Sequence, residues 1–173
     1  MGPRPFGKDQ ITIHGTLVRL GNEGILLLGN AGIGKSTTAL ALIADGGKLV
    51  ADDVVIIERL GNLLFGSAPP LLKGIFAIPG LGIFDVREVI GENSYTPSSV
   101  ITRCIELGWS SETAACEGVA EFLGTKLPLT SRNVERSHKT EAVFPEIDPL
   151  FIKDSQTRFF QRHARFIATP NAL

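Results

Sequence analysis

The chain has 173 residues, of which 43% are hydrophobic and 20% are charged, a globular rather than disordered balance with room for one core. Its 17 basic and 18 acidic residues leave a net charge of -1, which gives no overall electrostatic reason to bind nucleic acid or an anionic membrane. Residues 1–10 carry no export or lipidation signal, and no apolar run approaches the roughly 20 residues of a membrane-spanning helix, so we expect a cytoplasmic protein.

The first predicted elements are two strands and a helix. Mostly apolar or β-branched residues run from Ile11 to Leu20, turn residues occupy Gly21 to Gly24, and a strand-like run follows at Ile25 to Leu28. We predict two strands joined by a tight turn. After Lys35, apolar residues at helical spacing predict a helix of about three turns, which Asp45-Gly46-Gly47 ends.

A hairpin is predicted after this helix. The stretch from Leu49 to Ile57 is apolar except for Asp52 and Asp53, and reads as one strand. A turn at Gly61-Asn62 then leads into a second strand at Leu63 to Phe65.

The second half of the chain has weaker patterns. Glycines and prolines between Pro69 and Pro97 predict surface loops rather than long regular elements. We predict a strand at Val100 to Leu107 and a helix within Ser110 to Thr130.

The residues from Leu150 to Ile167 mix apolar and basic side chains in the pattern of a basic amphipathic helix. Such a helix packs on its own domain or a sister subunit, or it forms a docking surface for a partner. A membrane surface is a third, less favoured, target.

Two cysteines, Cys104 and Cys116, lack the paired close spacing of a zinc site, and a chain of this size does not need a disulfide to fold. We predict that both are reduced, buried thiols.

A glycine-rich segment follows the strand-like run that ends at Leu28. Gly29 to Ser36 match G-x-x-x-x-G-K-[ST] in full, after a strand and at the start of a helix, which makes a chance glycine-rich turn the weaker interpretation. In this context backbone N–H groups point at phosphate oxygens and the positive helix end adds to their field. We predict a P-loop for a purine nucleoside triphosphate, ATP with Mg²⁺.

Within the loop, Lys35 is expected to reach the β and γ phosphates, and Ser36 to offer its hydroxyl to Mg²⁺. The predicted nucleotide-contacting residues are Gly29, Asn30, Ala31, Gly32, Ile33, Gly34, Lys35, Ser36 and Thr37.

Asp52 and Asp53 are adjacent in a predicted strand, so their side chains should point to opposite faces and do different jobs. In the bland interpretation, one faces water and the other caps a turn. In the functional one, one accepts a proton from a hydroxyl that attacks the γ-phosphate, and the other orients a neighbour or the metal.

His14 lies in the first predicted strand, before Gly15, where another backbone can approach closely. A lone histidine in a strand is more often a hydrogen-bonded structural residue, and we assign His138 and His163 to that class.

Together these residues resemble the catalytic domain of bacterial HPr kinase/phosphorylase. The similar segments are His14-Gly15, Gly29 to Ser36, Val50-Ala51-Asp52-Asp53, and Gly80-Leu81-Gly82-Ile83 with Asp85-Val86. His14 lies 21 residues before Lys35 and Asp53 lies 18 after it, as in the family. The resemblance covers residues 11–90, with family-like fragments at Gly124 to Pro128 and Arg132 to Val134.

The resemblance implies an α/β fold, a P-loop nucleotide-binding domain of the HPr kinase/phosphoenolpyruvate carboxykinase-like type, with a mixed β-sheet and flanking helices. We predict an N-terminal extension at residues 1–10, a P-loop kinase domain at 11–145 and a C-terminal basic amphipathic helix and tail at 146–173.

The resemblance also implies an enzyme that phosphorylates a serine of the small protein HPr with ATP or pyrophosphate, and removes it by phosphorolysis. Asp53 stands at the family's proton acceptor and donor, Lys35 and Ser36 at its phosphate and magnesium contacts, and His14 at its active-site histidine. Family members are usually hexamers whose C-terminal helix helps to grip the partner, which suits Leu150 to Ile167.

The chain departs from the family at two positions. Ala77 and Pro79 stand where members carry a glutamate that assists magnesium and an arginine, and Arg132 is the candidate arginine further on. Losing this charge neutralisation would slow phosphoryl transfer.

Three functions follow as hypotheses. The leading one is a protein-serine kinase of the HPr kinase type, with or without phosphorylase activity, acting on HPr or another small protein, with Asp53 as base and Asp52 beside it. The second is a nucleotide-binding regulatory module that has lost transfer, which Ala77 and Pro79 favour. The third is a kinase for a small metabolite, because a pocket without protein-docking determinants could admit a free hydroxyl compound.

Overall fold

A computed structural model of the chain describes residues 9–78, 82–109 and 116–134. In these ranges the chain forms twelve strands and two α-helices. The strands are β1 (Gln10–His14), β2 (Thr16–Leu20), β3 (Glu23–Leu28), β4 (Lys48–Ala51), β5 (Val54–Leu60), β6 (Leu63–Ser67), β7 (Ile75–Ile78), β8 (Gly82–Asp85), β9 (Ser98–Val100), β10 (Arg103–Trp109), β11 (Glu117–Phe122) and β12 (Thr125–Val134). The helices are α1 (Lys35–Ala44) and α2 (Val86–Val89), and short 3₁₀ turns lie at Pro70–Leu72 and Glu92–Ser94.

The strands form three sheets. The largest has the order β11-β12-β10-β3-β2-β4, the second has the order β1-β5-β6-β9, and β7 and β8 form a two-stranded sheet. In the six-stranded sheet β10 is parallel to both β3 and β12, while β2 is antiparallel to β3 and β4. The carboxyl ends of β3, β4, β10 and β12 therefore reach the same edge of this mixed sheet, together with the amino end of β2.

The core has two layers, one on each face of the six-stranded sheet. Helix α1 packs on one face together with Phe76 of β7 and Phe84 of β8, and the four-stranded sheet packs on the other. Ile25 and Leu27 of β3 face the helix layer, whereas Leu26 faces the second sheet. Burial on both faces explains why this strand reads as a continuous apolar run. The mixed sheet with a helix on its face confirms the predicted α/β class.

Several predicted elements are confirmed. The turn after Leu20 joins β2 and β3 as an antiparallel pair, and α1 ends at Ala44 before Asp45 and two glycines. The turn at Gly61-Asn62 joins β5 and β6.

Two predicted single strands are in fact split, and this corrects the sequence-based boundaries. Ile11 to Leu20 divides at Gly15 into β1 and β2, and Leu49 to Ile57 divides at Asp52 and Asp53 into β4 and β5. In each case the chain passes between the four-stranded and six-stranded sheets. The two aspartates therefore lie in a bend, and the argument from strand alternation does not apply to them.

In its described residues, the region from Pro69 to Pro97 has no long regular element, as predicted, but it is not only surface loop. It contains β7, β8 and α2, and the rings of Phe76 and Phe84 meet edge to face, with centroids 5.9 Å apart, in the core. The predicted strand at Val100 to Leu107 is β10, displaced to Arg103–Trp109.

The helix predicted within Ser110 to Thr130 is wrong for the described residues, which form β11 and part of β12. Pairing with β12 and through it with β10 determines this structure, and such long-range pairing leaves a weak local pattern.

Cys104 is buried, as predicted, but Cys116 is exposed, so that half of the prediction is wrong. Cys116 precedes the edge strand β11, where one side of the chain faces solvent. In the described part of the chain, neither helix is long and apolar enough to cross a membrane. The predicted helix at Leu150 to Ile167 lies outside the described residues.

Candidate functional site

The predicted site residues meet at one edge of the six-stranded sheet. The glycine-rich loop, Gly29 to Gly34, follows β3, and Asp52 and Asp53 follow β4. His14 and Gly15 precede β2, which runs in the opposite direction between β3 and β4. Residues that are distant in sequence thus become neighbours because strand ends meet at this edge.

The glycine-rich loop has a backbone that side chains would disfavour. Gly29, Gly32 and Gly34 have φ values of 131°, 77° and 107°, and a Cβ on Gly29 would lie 2.5 Å from the carbonyl oxygen of Leu107. Ile33, 2% exposed, anchors the loop in the core. The exposed residues are Asn30, Ala31 and Gly32, so the loop presents its backbone to solvent.

Helix α1 begins directly after the loop, and its N-cap Gly34 supplies no side-chain hydrogen bond to the first turn. The first backbone N–H groups of a helix have no partner within it, and the helix dipole makes this end positive. Backbone donors and a positive field therefore converge where the motif predicted them.

Lys35 is buried, and its Nζ donates to the carbonyl oxygens of Gly29 (2.8 Å) and Asn30 (3.0 Å). Burial lowers the pKa of Lys35, and the negative charges of Asp53 and Asp52 oppose that shift. The ammonium thus lies across the loop, within electrostatic reach of both aspartates.

Asp52 is 6% exposed and accepts three hydrogen bonds. Its Oδ1 accepts from the hydroxyls of Thr16 (2.8 Å) and Ser36 (3.2 Å), and its Oδ2 accepts from the backbone N–H of Ala77 (3.1 Å). Burial raises the pKa of the Asp52 carboxyl, while these three donors pull in the other direction. The negative charge of Asp53 adds to the effect of burial and also raises the pKa of Asp52.

Asp53 has the opposite environment, with a side chain 69% exposed. His14 Nδ1 lies 3.0 Å from both the carbonyl oxygen and the Oδ1 of Asp53, so the tautomer protonated on Nδ1 can donate to either. The N–H of Gly15 also donates to that carbonyl oxygen, at 3.2 Å. The two aspartates therefore differ in environment, one buried and one open to solvent, and the bend rather than strand alternation separates them.

Ser36 and Asp52 offer a hydroxyl and a carboxylate oxygen 3.2 Å apart, beside the glycine-rich loop. Mg²⁺ in nucleotide sites is held by one or two such protein oxygens, with phosphates and waters completing the octahedron. This donor set fits magnesium. In the described residues there is no group of three or more His, Cys, Asp or Glu side chains that could hold a metal without a ligand's help.

Of the two positions where the chain departs from the family pattern, Ala77 lies near this edge. Ala77 contributes its N–H to Asp52, and its methyl group offers no ligand. Pro79, Gly80 and Leu81 lie outside the described residues, as do His138 and His163. Asp85 caps α2 by accepting from the backbone N–H of Arg87 at 2.9 Å, and it also pairs with that guanidinium.

Arg132 is exposed at the carboxyl end of β12, where it pairs in register with Leu107 of β10. The glycine-rich loop also touches Leu107, so Arg132 lies on the side of the loop away from the aspartates.

Sequence reasoning did not identify Thr16 as part of this cluster. It lies in a predicted strand and carries no motif signal beyond its position after His14-Gly15. Only the pairing of β2 with β4 brings its hydroxyl to Asp52.

Sequence and structure comparisons find similar proteins of one family. A family model described as HPr Serine kinase C-terminal domain matches residues 8–141. A curated HPr kinase/phosphorylase from Caldanaerobacter subterraneus subsp. tengcongensis is 48% identical over 99 residues, covering 57% of this chain and 32% of that protein. One from a Thermoanaerobacter species is 35% identical over 161 residues, covering 89% of this chain and 52% of that protein. This chain thus spans about half of the length of these relatives, or less.

A solved structure, the Hpr(Ser) kinase/phosphatase from Coxiella burnetii, is similar over most of the chain. It superposes with a TM-score of 0.69 at 26% sequence identity, covering 92% of this chain and 99% of that one. The resemblance found in the sequence is therefore confirmed. Because the family model matches most of the chain, the protein belongs to the family of HPr serine kinase C-terminal domains.

Proposed function

We propose that this chain is a protein-serine kinase that transfers the γ-phosphate of ATP to HPr or a similar small protein. The observation that carries the proposal is the convergence of Lys35, Ser36, Asp52 and the His14–Asp53 pair at the edge where the glycine-rich loop meets α1. Family membership supports the same reaction. In this proposal the nucleotide lies along residues 29–37, and the acceptor approaches from the solvent side of Asp53.

In the proposed reaction, the hydroxyl oxygen of the acceptor serine attacks the γ-phosphorus, and the Asp53 carboxylate takes the proton of that hydroxyl. The new phosphorus–oxygen bond forms as the bond to the β-phosphate oxygen breaks, and ADP leaves with that electron pair. His14 holds Asp53, and Lys35 neutralises charge on the transferred group. Magnesium, held by Ser36 and Asp52 with the nucleotide, would supply further charge neutralisation.

The exposure of Asp53 suits this role, because a base that serves a protein hydroxyl must be reachable from outside. Asp52 is too buried to meet a protein substrate and fits the metal-side role instead. We further propose, on family resemblance, that the protein works in the cytoplasm as a homo-oligomer, a hexamer, whose residues 146–173 help to hold the acceptor. Phosphorolysis by the same site would transfer the phosphoryl group from the serine to inorganic phosphate, which forms pyrophosphate, while Asp53 returns the proton to the serine oxygen.

One observation favours a second candidate. Ala77 presents only a methyl group and a backbone N–H where the resemblance expects a magnesium-assisting glutamate. A nucleotide-binding regulatory module that binds ATP without transferring phosphate would tolerate this change.

The kinase proposal is tested with purified protein, Mg²⁺, γ-labelled ATP and purified HPr from the same organism. We expect label on an HPr serine, and a rate about 10²- to 10⁴-fold lower in Asp53→Asn, which removes the base. Asparagine tolerates the left-handed backbone found at Asp53 (φ 66°), so this variant should fold.

Asp45→Asn is the matched control, since it makes the same chemical change at an exposed position at the far end of α1 and should leave the rate unchanged. Tight ATP binding with no labelled protein would reject the kinase and support the regulatory module. Label on a small hydroxyl compound, without any protein acceptor, would instead identify the metabolite kinase.

A further inference from the structure

Thr16 is an unassigned member of the cluster around Asp52. It is the first residue of β2, directly after the chain passes between sheets at Gly15, and it is 1% exposed. Its hydroxyl donates to Asp52 Oδ1 at 2.8 Å, the shortest of the three hydrogen bonds that this carboxylate accepts.

Thr16 is also well placed to fix the carboxylate. Its strand lies between β3 and β4 inside the six-stranded sheet, and Thr16 itself pairs with Leu27. A β-branched side chain in a strand has a restricted χ1 torsion, so the hydroxyl has little freedom to turn away. Groups held on rigid strands position a site more accurately than groups on loops do.

Because Thr16 also donates to Oδ1, the Ser36 hydroxyl can bind a cation as well as donate to the same oxygen. Ser36 has one hydroxyl hydrogen and two lone pairs. While its hydrogen points to Asp52 Oδ1, a lone pair remains for a cation. That arrangement requires Oδ1 to keep its orientation when Ser36 binds the cation. Thr16, the other donor to the same oxygen, supplies the hydrogen bond that keeps Oδ1 in place.

We propose that Thr16 is a positioning residue, which holds the Asp52 carboxylate so that it and the Ser36 hydroxyl together form the protein side of the magnesium–nucleotide site. This inference rests on the proposed nucleotide-binding function and deepens it. It assigns to a strand hydroxyl a part of the metal-side geometry that neither the glycine-rich motif nor the aspartate pair predicts.

The test is Thr16→Val, which removes the hydroxyl and nearly keeps the volume. Two titrations measure the binding of a fluorescent non-hydrolysable ATP analogue. The first varies the analogue in excess EDTA, and the second, without EDTA, varies Mg²⁺ at a fixed analogue concentration. In Thr16→Val, we expect the Mg²⁺ concentration that gives half of the fluorescence change to rise about 10- to 100-fold. This is the usual effect of losing a residue that hydrogen-bonds to a metal ligand. Analogue affinity in EDTA should stay at the wild-type value, because the loop backbone and Lys35 are unchanged.

Thr16→Ser retains a hydroxyl and should restore the wild-type Mg²⁺ dependence. Thr102→Val is the matched control, because this half-buried threonine donates to the carbonyl oxygen of Gly24 at the opposite edge of the same sheet. Loss of affinity in EDTA as well as in Mg²⁺ would indicate a merely structural role and overturn the inference. A Thr16→Val protein with wild-type Mg²⁺ dependence would do the same.

Circular dichroism and thermal melting show whether each variant is folded. If Thr16→Val does not fold, Thr16→Ala is measured in its place, with the same expected rise and the same contradicting result. The wild-type titration separates the two proposals. A wild-type protein that binds no analogue at all rejects the nucleotide function and this inference with it, whereas a normal wild-type titration with an unchanged variant rejects Thr16 alone.

Discussion

Asp53 combines an exposed carboxylate with a backbone conformation that non-glycine residues rarely adopt. Its φ is 66°, in the left-handed region, which costs an ordinary residue about 1–2 kcal/mol. Aspartate is among the residues that tolerate this region best. The hydrogen bonds from Gly15 and His14 to its carbonyl oxygen hold the conformation in place. Strain kept at a residue with a proposed chemical role is typical of functional sites.

This strain gives a residue-scale prediction. Replacing Asp53 with glycine removes the strain along with the carboxylate, so we expect the free energy of unfolding to stay level or rise by up to about 1 kcal/mol. Replacing it with valine puts a β-branched residue in the left-handed region, and we expect a loss of about 1–3 kcal/mol. Phosphate transfer should be lost in both variants.

Urea unfolding followed by circular dichroism measures both free energies. The comparison between the two variants is informative because both lack the carboxylate, so only the backbone demand differs. A valine variant as stable as the glycine variant would show that the left-handed conformation is not needed at this position.

At the scale of elements, the amino end of β3 depends on a close contact that only glycine permits. A Cβ on Gly24 would overlap the carbonyl oxygen of Val100, and that clash involves backbone rather than a side chain that could move. The carbonyl oxygen of Gly24 accepts from the N–H of Thr102 at 2.9 Å, just before β10 pairs with β3. This contact fixes the two parallel strands whose other ends support the glycine-rich loop.

We therefore expect Gly24→Ala to destabilise the protein by about 1–3 kcal/mol or more, because the strands must separate to admit the methyl group. Gly118→Ala is the matched control, since Gly118 also lies in a strand and a Cβ there would meet nothing within 4 Å. Thermal melting of both variants measures the effect. Equal melting temperatures would contradict the proposed constraint on β3.

On the scale of the whole molecule, the candidate site joins otherwise separate parts of the fold. The glycine-rich loop follows β3 of the six-stranded sheet, and the His14–Asp53 pair lies where the chain passes between sheets. Ala77 lies in β7 of the two-stranded sheet. A ligand that binds only the folded arrangement of these parts stabilises the whole fold by mass action.

We expect Mg²⁺ and ATP at about 100 times the dissociation constant to stabilise the protein by about 2.7 kcal/mol. For a chain of this size, that should raise the melting temperature by roughly 5–10 °C. Lys35→Ala should lose most of this shift, because it removes the charge that lies across the loop. Lys126→Ala, which removes an exposed lysine on β12, should keep it. Differential scanning fluorimetry measures the shift in melting temperature. An equal shift in both variants would contradict a role for Lys35 in nucleotide binding.

The sequence alone determined the local parts of this protein. The glycine-rich motif, helix α1 and the turns at residues 21–22 and 61–62 depend on short-range signals, namely backbone freedom, helical periodicity and turn residues, so pattern reasoning found them. The distinct roles expected for Asp52 and Asp53 also came from the sequence, although by a strand argument that does not hold. The family resemblance came from the same residues.

Only the tertiary structure decided what lies between these parts. The splits at Gly15 and at Asp52–Asp53 arise because the chain changes sheets there. β11 and part of β12 lie where a weak local pattern led to the prediction of a helix. The hydrogen bond between Thr16 and Asp52 joins residues 36 positions apart. Such contacts depend on which strands pair and in what register. That choice is made by burying two faces of one sheet at once, and no short stretch of sequence contains it.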